Sequence, residues 1–384
     1  MNDVIIDVSE QEIMKNWDKQ TDIPLVSIAS VTYNHEKFIE KALNSFLMQK
    51  TNFPFEIVIN DDASTDNTAQ IIEKYQEKFP NIFRVNLKKT NVGPSKNTHD
   101  AFERCRGKYI AFCEGDDYWT DEHKLQYQIE EMMKHPECGL SFHPVDRVDE
   151  NNQLIHKKSQ YADTTMVFHT PDMIKKIVCP TSSMIYKKEN LFKYASFLES
   201  IPVGDFFAQI FSSLNGGVLY VNKTMSVYRM HLSGICATRH MDFNKTAIHL
   251  QNTAKSIIEA DKYLNHKYHD DFMFVIYSAT LSMVKNKNFS IEQRYSLYNS
   301  LEHHLSDTYK LEFQQLFIEL FLKKESNKSK TEILSKNDVD LLTEAAIYIA
   351  KSDVKMGTSL LEIAHTAREY LSDPGKNVNT ELHN

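Results

Sequence analysis

At 384 residues the chain has length for a large core and two domains. Its net charge of −8 lacks the basic footprint of a general nucleic-acid binder, so no nucleic-acid partner is expected. Five cysteines (Cys105, Cys113, Cys138, Cys179, Cys236) form no CxxC pair and leave one over, which disfavours a disulfide framework or a zinc site and fits a reducing compartment. Residues 1–20 lack the basic-then-apolar pattern of a signal peptide, and no apolar run approaches the roughly 20 residues that span a bilayer. A cytoplasmic protein is expected, with any membrane contact peripheral, at the inner face.

Residues 1–23 read as a polar arm with a weak helical stretch at 13–17. Residues 24–31 read as a buried strand that runs into the polar turn Thr32-Tyr33-Asn34-His35. Apolar residues at helical spacing follow over 36–49. A second strand, 55–60, ends in Asp61-Asp62-Ala63-Ser64-Thr65-Asp66, which leads into a helix carrying Ala69, Ile71, Ile72 and Tyr75. Residues 83–87 predict a third strand, 91–95 a turn, 96–105 a helix and 109–113 a fourth strand. This alternation argues for a mainly parallel α/β sheet covered by helices on both faces. A GxGxxG after the first strand and a GxxxxGKS/T are both missing, which disfavours a dinucleotide site and a P-loop.

The fourth strand ends abruptly in Glu114-Gly115-Asp116-Asp117, three carboxylates in four residues. Such groups repel one another unless positive charge lies between them, and a divalent cation on a ligand's phosphates would supply it. In a parallel sheet the clusters Thr32–Glu36, Asp61–Asp66 and Glu114–Asp117 share one edge, where open α/β sheets bind ligands.

Four segments carry a family resemblance. Residues 26–34 resemble the opening strand and loop of the family 2 glycosyltransferases with the GT-A fold, of the bacterial polysaccharide type. Asn60-Asp61-Asp62-Ala63-Ser64-Thr65-Asp66-Asn67-Thr68 is similar to that family's DDGSTD motif, with Ala63 in place of glycine. Asn91-Val92-Gly93-Pro94-Ser95-Lys96-Asn97 is similar to its NxGxSxxRN-like segment, and Glu114-Gly115-Asp116-Asp117-Tyr118-Trp119 to its DxD motif. The resemblance implies a nucleotide site made by Thr32, Tyr33, Glu36, Asp61, Asp62, Lys96, Asn97, Glu114 and Gly115, and Mn2+ or Mg2+ at Asp116 supported by Asp117 and His231. Arg229, in a segment that resembles the family's YRxH, would reach the diphosphate. Asp205, which also reads as a helix N-cap, matches the general base. The implied activity is inverting, metal-dependent transfer from a nucleoside-diphosphate sugar, a UDP-sugar, to a glycan or lipid-linked acceptor in capsule, O-antigen or LPS synthesis.

Between these motifs, 122–134 predicts a helix, 140–145 and 178–186 strands, 155–158 a weaker strand, 172–176 a short helix and 218–221 a strand. The expected organisation is an arm over 1–23, the GT-A domain over 24–240, a helical domain over 241–372 and a polar tail over 373–384. The helical domain reads as packing its own core, and could also serve a homodimer. Lys323, Lys324, Lys328 and Lys330 form a modest basic loop, a weak hint of anionic lipid. Two other readings stand beside the enzyme. One is a non-catalytic nucleotide-sugar-binding adaptor; the other, a nucleotidylyltransferase, is disfavoured because its Gly-rich N-terminal loop is missing.

Overall fold

The structure, a computed structural model, describes residues 7–18, 23–156, 161–194, 197–198, 204–231, 242–313 and 316–317. It divides into two compact units, Met1–Phe272 and Met273–Asn384.

The first unit is built on an eight-stranded sheet. Its parallel half comprises β1 (Val26–Thr32), β2 (Phe55–Asp61), β3 (Phe83–Leu87) and β4 (Tyr109–Phe112), in the order β3-β2-β1-β4. β1, β2 and β4 are buried along their whole length, as strands covered on both faces must be. The helices joining and flanking the strands are α1 (Glu10–Met14), α2 (Ile39–Leu47), α3 (Thr68–Lys78) and α4 (Pro94–Arg104). α1 starts earlier than the expected stretch at 13–17 because Ser9 and Glu12 form a reciprocal cap.

Beyond β4 the sequence pattern is followed less closely. The expected strand 140–145 is two strands: β6 (Leu140–Phe142) stays in the large sheet, while β7 (Val145–Val148) enters a second sheet of four. His143-Pro144 marks the break, since proline has no N–H for a ladder. The second sheet has the order β5 (Tyr118–Trp119), β12 (Ser226–Arg229), β7 and β8 (Leu154–His156). The expected strand 178–186 is a 3₁₀ turn, Thr181–Ser183, followed by β10 (Ile185–Lys187). Ser183 donates both its N–H and its hydroxyl to the Pro180 carbonyl, which curls the chain before β10 begins. β10 runs antiparallel to both β4 and β6, and β11 (Val218–Tyr220) and the unexpected β9 (Met166–Phe168) complete the large sheet.

Helices α5 (Lys124–Lys134), α6 (Thr170–Lys175), α7 (Lys188–Phe192), α8 (Gly204–Ser213) and α9 (Phe243–Tyr263) follow in this unit, and α10 (His269–Val284) begins in it. In the second unit α11 (Ile291–Leu301) opens with another reciprocal cap, Ser290 with Gln293. Tyr277 stacks on Tyr309 at 4.0 Å, and Tyr298 packs against Phe313 and Phe317. The part of the expected helical domain beyond residue 317, the basic loop and the tail lie outside the described residues. No helix among the described residues is long and apolar enough to cross a membrane.

One buried carboxylate ties the N-terminal ends of the parallel strands. Glu56, 1% exposed, accepts from the Ser27 hydroxyl at 2.7 Å, the Arg106 N–H at 2.7 Å and the Arg106 Nε at 2.8 Å. Truncation strands the Ser27 hydroxyl and the Arg106 N–H while the half-exposed Arg106 side chain turns to water, and the expected loss for Glu56→Ala is about 1–3 kcal/mol of unfolding free energy, measured by chemical denaturation.

Candidate active site

The C-terminal ends of β1, β2 and β4 lie side by side. Thr32 pairs with Asp61 across β1 and β2, and Ala29 with Phe112 across β1 and β4. The loops leaving these ends interlock. The Asn34 N–H donates to Ser64 Oγ and the Thr65 N–H to Asn34 Oδ1, at 2.9 and 2.8 Å. The His35 N–H donates to Thr68 Oγ1 at 2.9 Å and the Glu36 N–H to Asp66 at 3.1 Å. Glu36 in turn accepts from the N–H and side-chain amide of Asn67. These bonds fix the chain entering α2, and with it the His35 ring.

The acidic turn after β4 lies against this loop. Gly115 admits no side chain, because a Cβ there would meet Thr32 Oγ1 and Ile39 Cδ1 at 2.8 Å. Its N–H donates to the Val31 carbonyl at 3.0 Å. The turn thereby directs Asp116 towards two imidazoles: Oδ2 lies 3.0 Å from His231 Nε2 and 3.7 Å from His35 Nε2. One ligand atom from each of the three residues falls within 4.8 Å of the others. Phe38 packs against the His231 ring at 5.0 Å.

Electrostatics separates the two aspartates. Burial alone would raise the Asp116 carboxyl, but the His231 hydrogen bond and the charges of His35 and His231 outweigh it and hold it below the usual range. Asp117 is pushed well above that range by burial, then by the charges of Asp116 and Glu114. Burial lowers the His35 imidazole although Asp116 pulls it up. The turn therefore favours charge on Asp116 and disfavours it on the neighbouring Asp117.

The other residues singled out in the sequence have varied surroundings. Asp117 Oδ1 accepts the Arg229 N–H at 2.8 Å. Arg229 is 3% exposed; its Nε donates to the Asp116 carbonyl at 2.8 Å, its Nη1 lies 3.3–3.4 Å from the carbonyls of Asp149 and Glu150, and its guanidinium sits over the Phe38 and Tyr118 rings. The Arg229 guanidinium, expected to reach a diphosphate, thus meets three carbonyls on two backbone segments. Asp61 accepts both the N–H and the hydroxyl of Ser64, and Asp62 holds the N–H groups of Val92 and Gly93, each at 2.9 Å. The side-chain amides of Asn60 and Asn97 each donate to the other residue's backbone carbonyl at 3.3 Å. Lys96 and Tyr33 are exposed, Glu114 is half-buried, and Thr32 Oγ1 is buried with no hydrogen-bond partner. Asp205 lies in the first turn of α8, and its side chain lies outside what is described. His35 was not foreseen as a cation ligand. Its only signal was membership of the polar turn after the first strand.

The sequence profile of glycosyl transferase family 2 matches residues 27–214, which hold the β1 rim and the acidic turn. Residues 27–214 are a family 2 glycosyltransferase domain. An uncharacterized protein of Mycobacterium tuberculosis is 35% identical over 222 residues, covering 57% of this chain and 63% of its own length. A putative teichuronic acid biosynthesis glycosyltransferase of Bacillus subtilis, TuaG, is 37% identical over 129 residues, 34% of this chain and 48% of its own. Among solved structures, S. aureus TarS 1–349 in complex with UDP-GlcNAc shares the fold with a TM-score of 0.56 at 20% identity, covering 89% of this chain and 91% of that one. The family's α/β architecture, expected from the four motifs, is the one observed, with a helical region after it.

Relative to the family's DDGSTD motif, Ala63 replaces a glycine, and the structure shows what that costs. Ala63 has φ +61°, in the left-handed region where a Cβ is unfavourable. Ala63→Gly is expected to raise stability by about 0.5–1 kcal/mol, the relieved strain less the greater freedom of glycine in the unfolded chain. Denaturant midpoints of the two proteins check it.

Proposed function

We propose that this chain transfers a sugar from a UDP-sugar to an acceptor hydroxyl on a cell-surface glycan, with inversion at the anomeric carbon. The observation that carries the reading is the triad His35–Asp116–His231 at the C-terminal rim of the parallel strands, where open α/β sheets take nucleotides. The likeness of fold to TarS in complex with UDP-GlcNAc supports the donor class, and the names of TuaG and of a poly(ribitol-phosphate) β-N-acetylglucosaminyltransferase support a surface polymer as the product.

Two imidazoles and one ionised carboxylate suit Mn2+ better than Mg2+, since Mg2+ favours all-oxygen shells. His35, Asp116 and His231 would hold the ion, with Asp117 and Arg229 keeping the Asp116 backbone in place. Bound there, Mn2+ supplies Lewis-acid neutralisation of the charge that gathers on the departing diphosphate. The chain's own residues supply the rest. Thr32 Oγ1, Glu114 and the exposed Tyr33 border the rim where the nucleoside would lie, and Lys96 offers positive charge nearby. Asp205, in the first turn of α8, would stay ionised beside the positive end of the helix and take the acceptor proton. The acceptor oxygen then bonds to the anomeric carbon as the bond from that carbon to the diphosphate oxygen breaks.

Assay of UDP release and product formation across a panel of UDP-sugars tests the reading. Asp205→Asn is expected to lower kcat by about 10²–10⁴-fold with little change in the Mn2+ requirement. His35→Ala is expected to raise the Mn2+ concentration needed for half-activity by about 10–100-fold. Near-normal turnover in Asp205→Asn, or an unaltered Mn2+ titration in His35→Ala, removes that residue from its role. Turnover that survives Asp116→Asn together with His231→Ala overturns the reading.

A further inference from the structure

A second cluster stands in the first unit, in the turn between α9 and α10. Asp261 lies in the last turn of α9, and its side chain is 4% exposed. His266 Nδ1 and His269 Nδ1 both approach the same oxygen, Asp261 Oδ2, at 2.8 Å. The other oxygen, Oδ1, is buried and has no hydrogen-bond partner. Asn265 and His266 take left-handed backbone conformations, φ +52° and +59°, which turn the chain back so that the His266 N–H reaches the Asp261 carbonyl at 2.8 Å.

The position is unfavourable for a lone carboxylate. The C-terminal end of a helix carries partial negative charge, which opposes a carboxylate there. Burial opposes it further. The two imidazoles reach only one of the two oxygens. One ligand atom from each residue lies within 4.8 Å of the others, the spacing that a single ion needs.

We propose that Asp261, His266 and His269 form a second divalent-cation site, for borderline ions that accept imidazole nitrogen, such as Zn2+ or Co2+. With bonds of about 2.0–2.2 Å, a tetrahedral shell sets neighbouring ligand atoms roughly 3.3 Å apart. Each Nδ1–Oδ2 gap must then widen by about half an ångström from its hydrogen-bonded length. The imidazoles are 63% and 53% exposed, so they have room to make this small movement. Binding at Nδ1 requires each ring to be neutral with its proton on Nε2, so the Nδ1 proton is exchanged through solvent for one at Nε2, and the open coordination positions face water. Mg2+, which keeps its water and prefers oxygen, is excluded by the two nitrogens. The ion would pin the turn between the two helices.

The test uses the untagged full-length chain carrying Asp116→Asn, which disables the triad at the sheet rim. Co2+ is titrated while its visible d–d absorption is followed. The expected result is uptake at this turn, displaced by Zn2+ and indifferent to Mg2+. Adding His266→Ala or His269→Ala to that chain should weaken it by at least about 10–100-fold, the loss typical of outer partners alone. An isotherm unchanged by both histidine substitutions overturns the proposal. The imidazole nitrogen spectra of the unmutated chain give a readout that does not depend on the variants folding. Zn2+ should shift Nδ1 of His266 and His269, and rings that stay at their metal-free positions overturn the proposal equally. Neither result depends on glycosyl transfer, so this site and the proposed activity stand or fall separately.

Discussion

The site depends on one electrostatic constraint: three carboxylates in four residues at the end of a buried strand must not all carry charge without positive partners. The fold meets it in two ways. Asp116 faces two imidazoles that favour its charged form, and burial pushes the Asp117 carboxyl well above the usual range. The second sheet exists to serve this arrangement. Pairing of β12 with both β5 and β7 brings Arg229 and His231 to the acidic turn. One side chain then braces the turn's backbone while the other meets its carboxylate.

The same constraint explains the density of hydrogen bonds between the loops after β1 and β2. A histidine ring at 3.7 Å from a carboxylate is useful only if its backbone does not wander. The bonds from Asn34, His35 and Glu36 to Ser64, Thr65, Asp66, Asn67 and Thr68 fix it on one side. Close packing of Gly115 against Thr32 and Ile39 fixes the carboxylate on the other. Much of the motif that reads as nucleotide-binding is therefore occupied in shaping the rim. Asp61 caps its own turn, Asp62 holds the distant turn at Val92 and Gly93, and Glu36 holds the entry to α3.

The parallel half of the sheet was legible because β1, β2 and β4 are covered on both faces, and such strands read as continuous apolar runs. The second half was harder. There the strands are three or four residues long, and their partners are distant in sequence. Pro144 turned one expected strand into two strands of different sheets, and Pro180 with Ser183 replaced much of another by a tight turn. At the site, residue type identified the acidic turn but not which groups face it. The charge of Arg229 is visible in sequence, while its burial and its backbone partners are not. His35 was passed over because a lone histidine in a polar loop has no period or spacing to mark it. Only the fold brings it to a carboxylate on another strand.

The bond between His231 and Asp116 joins residues 115 apart in the chain. At ribosomal speeds of about 5–20 residues per second, the acidic turn is made roughly 6–23 s before its histidine partner. Of the two imidazoles that meet Asp116, His35 is therefore already made when the acidic turn is, while His231 follows only with β12.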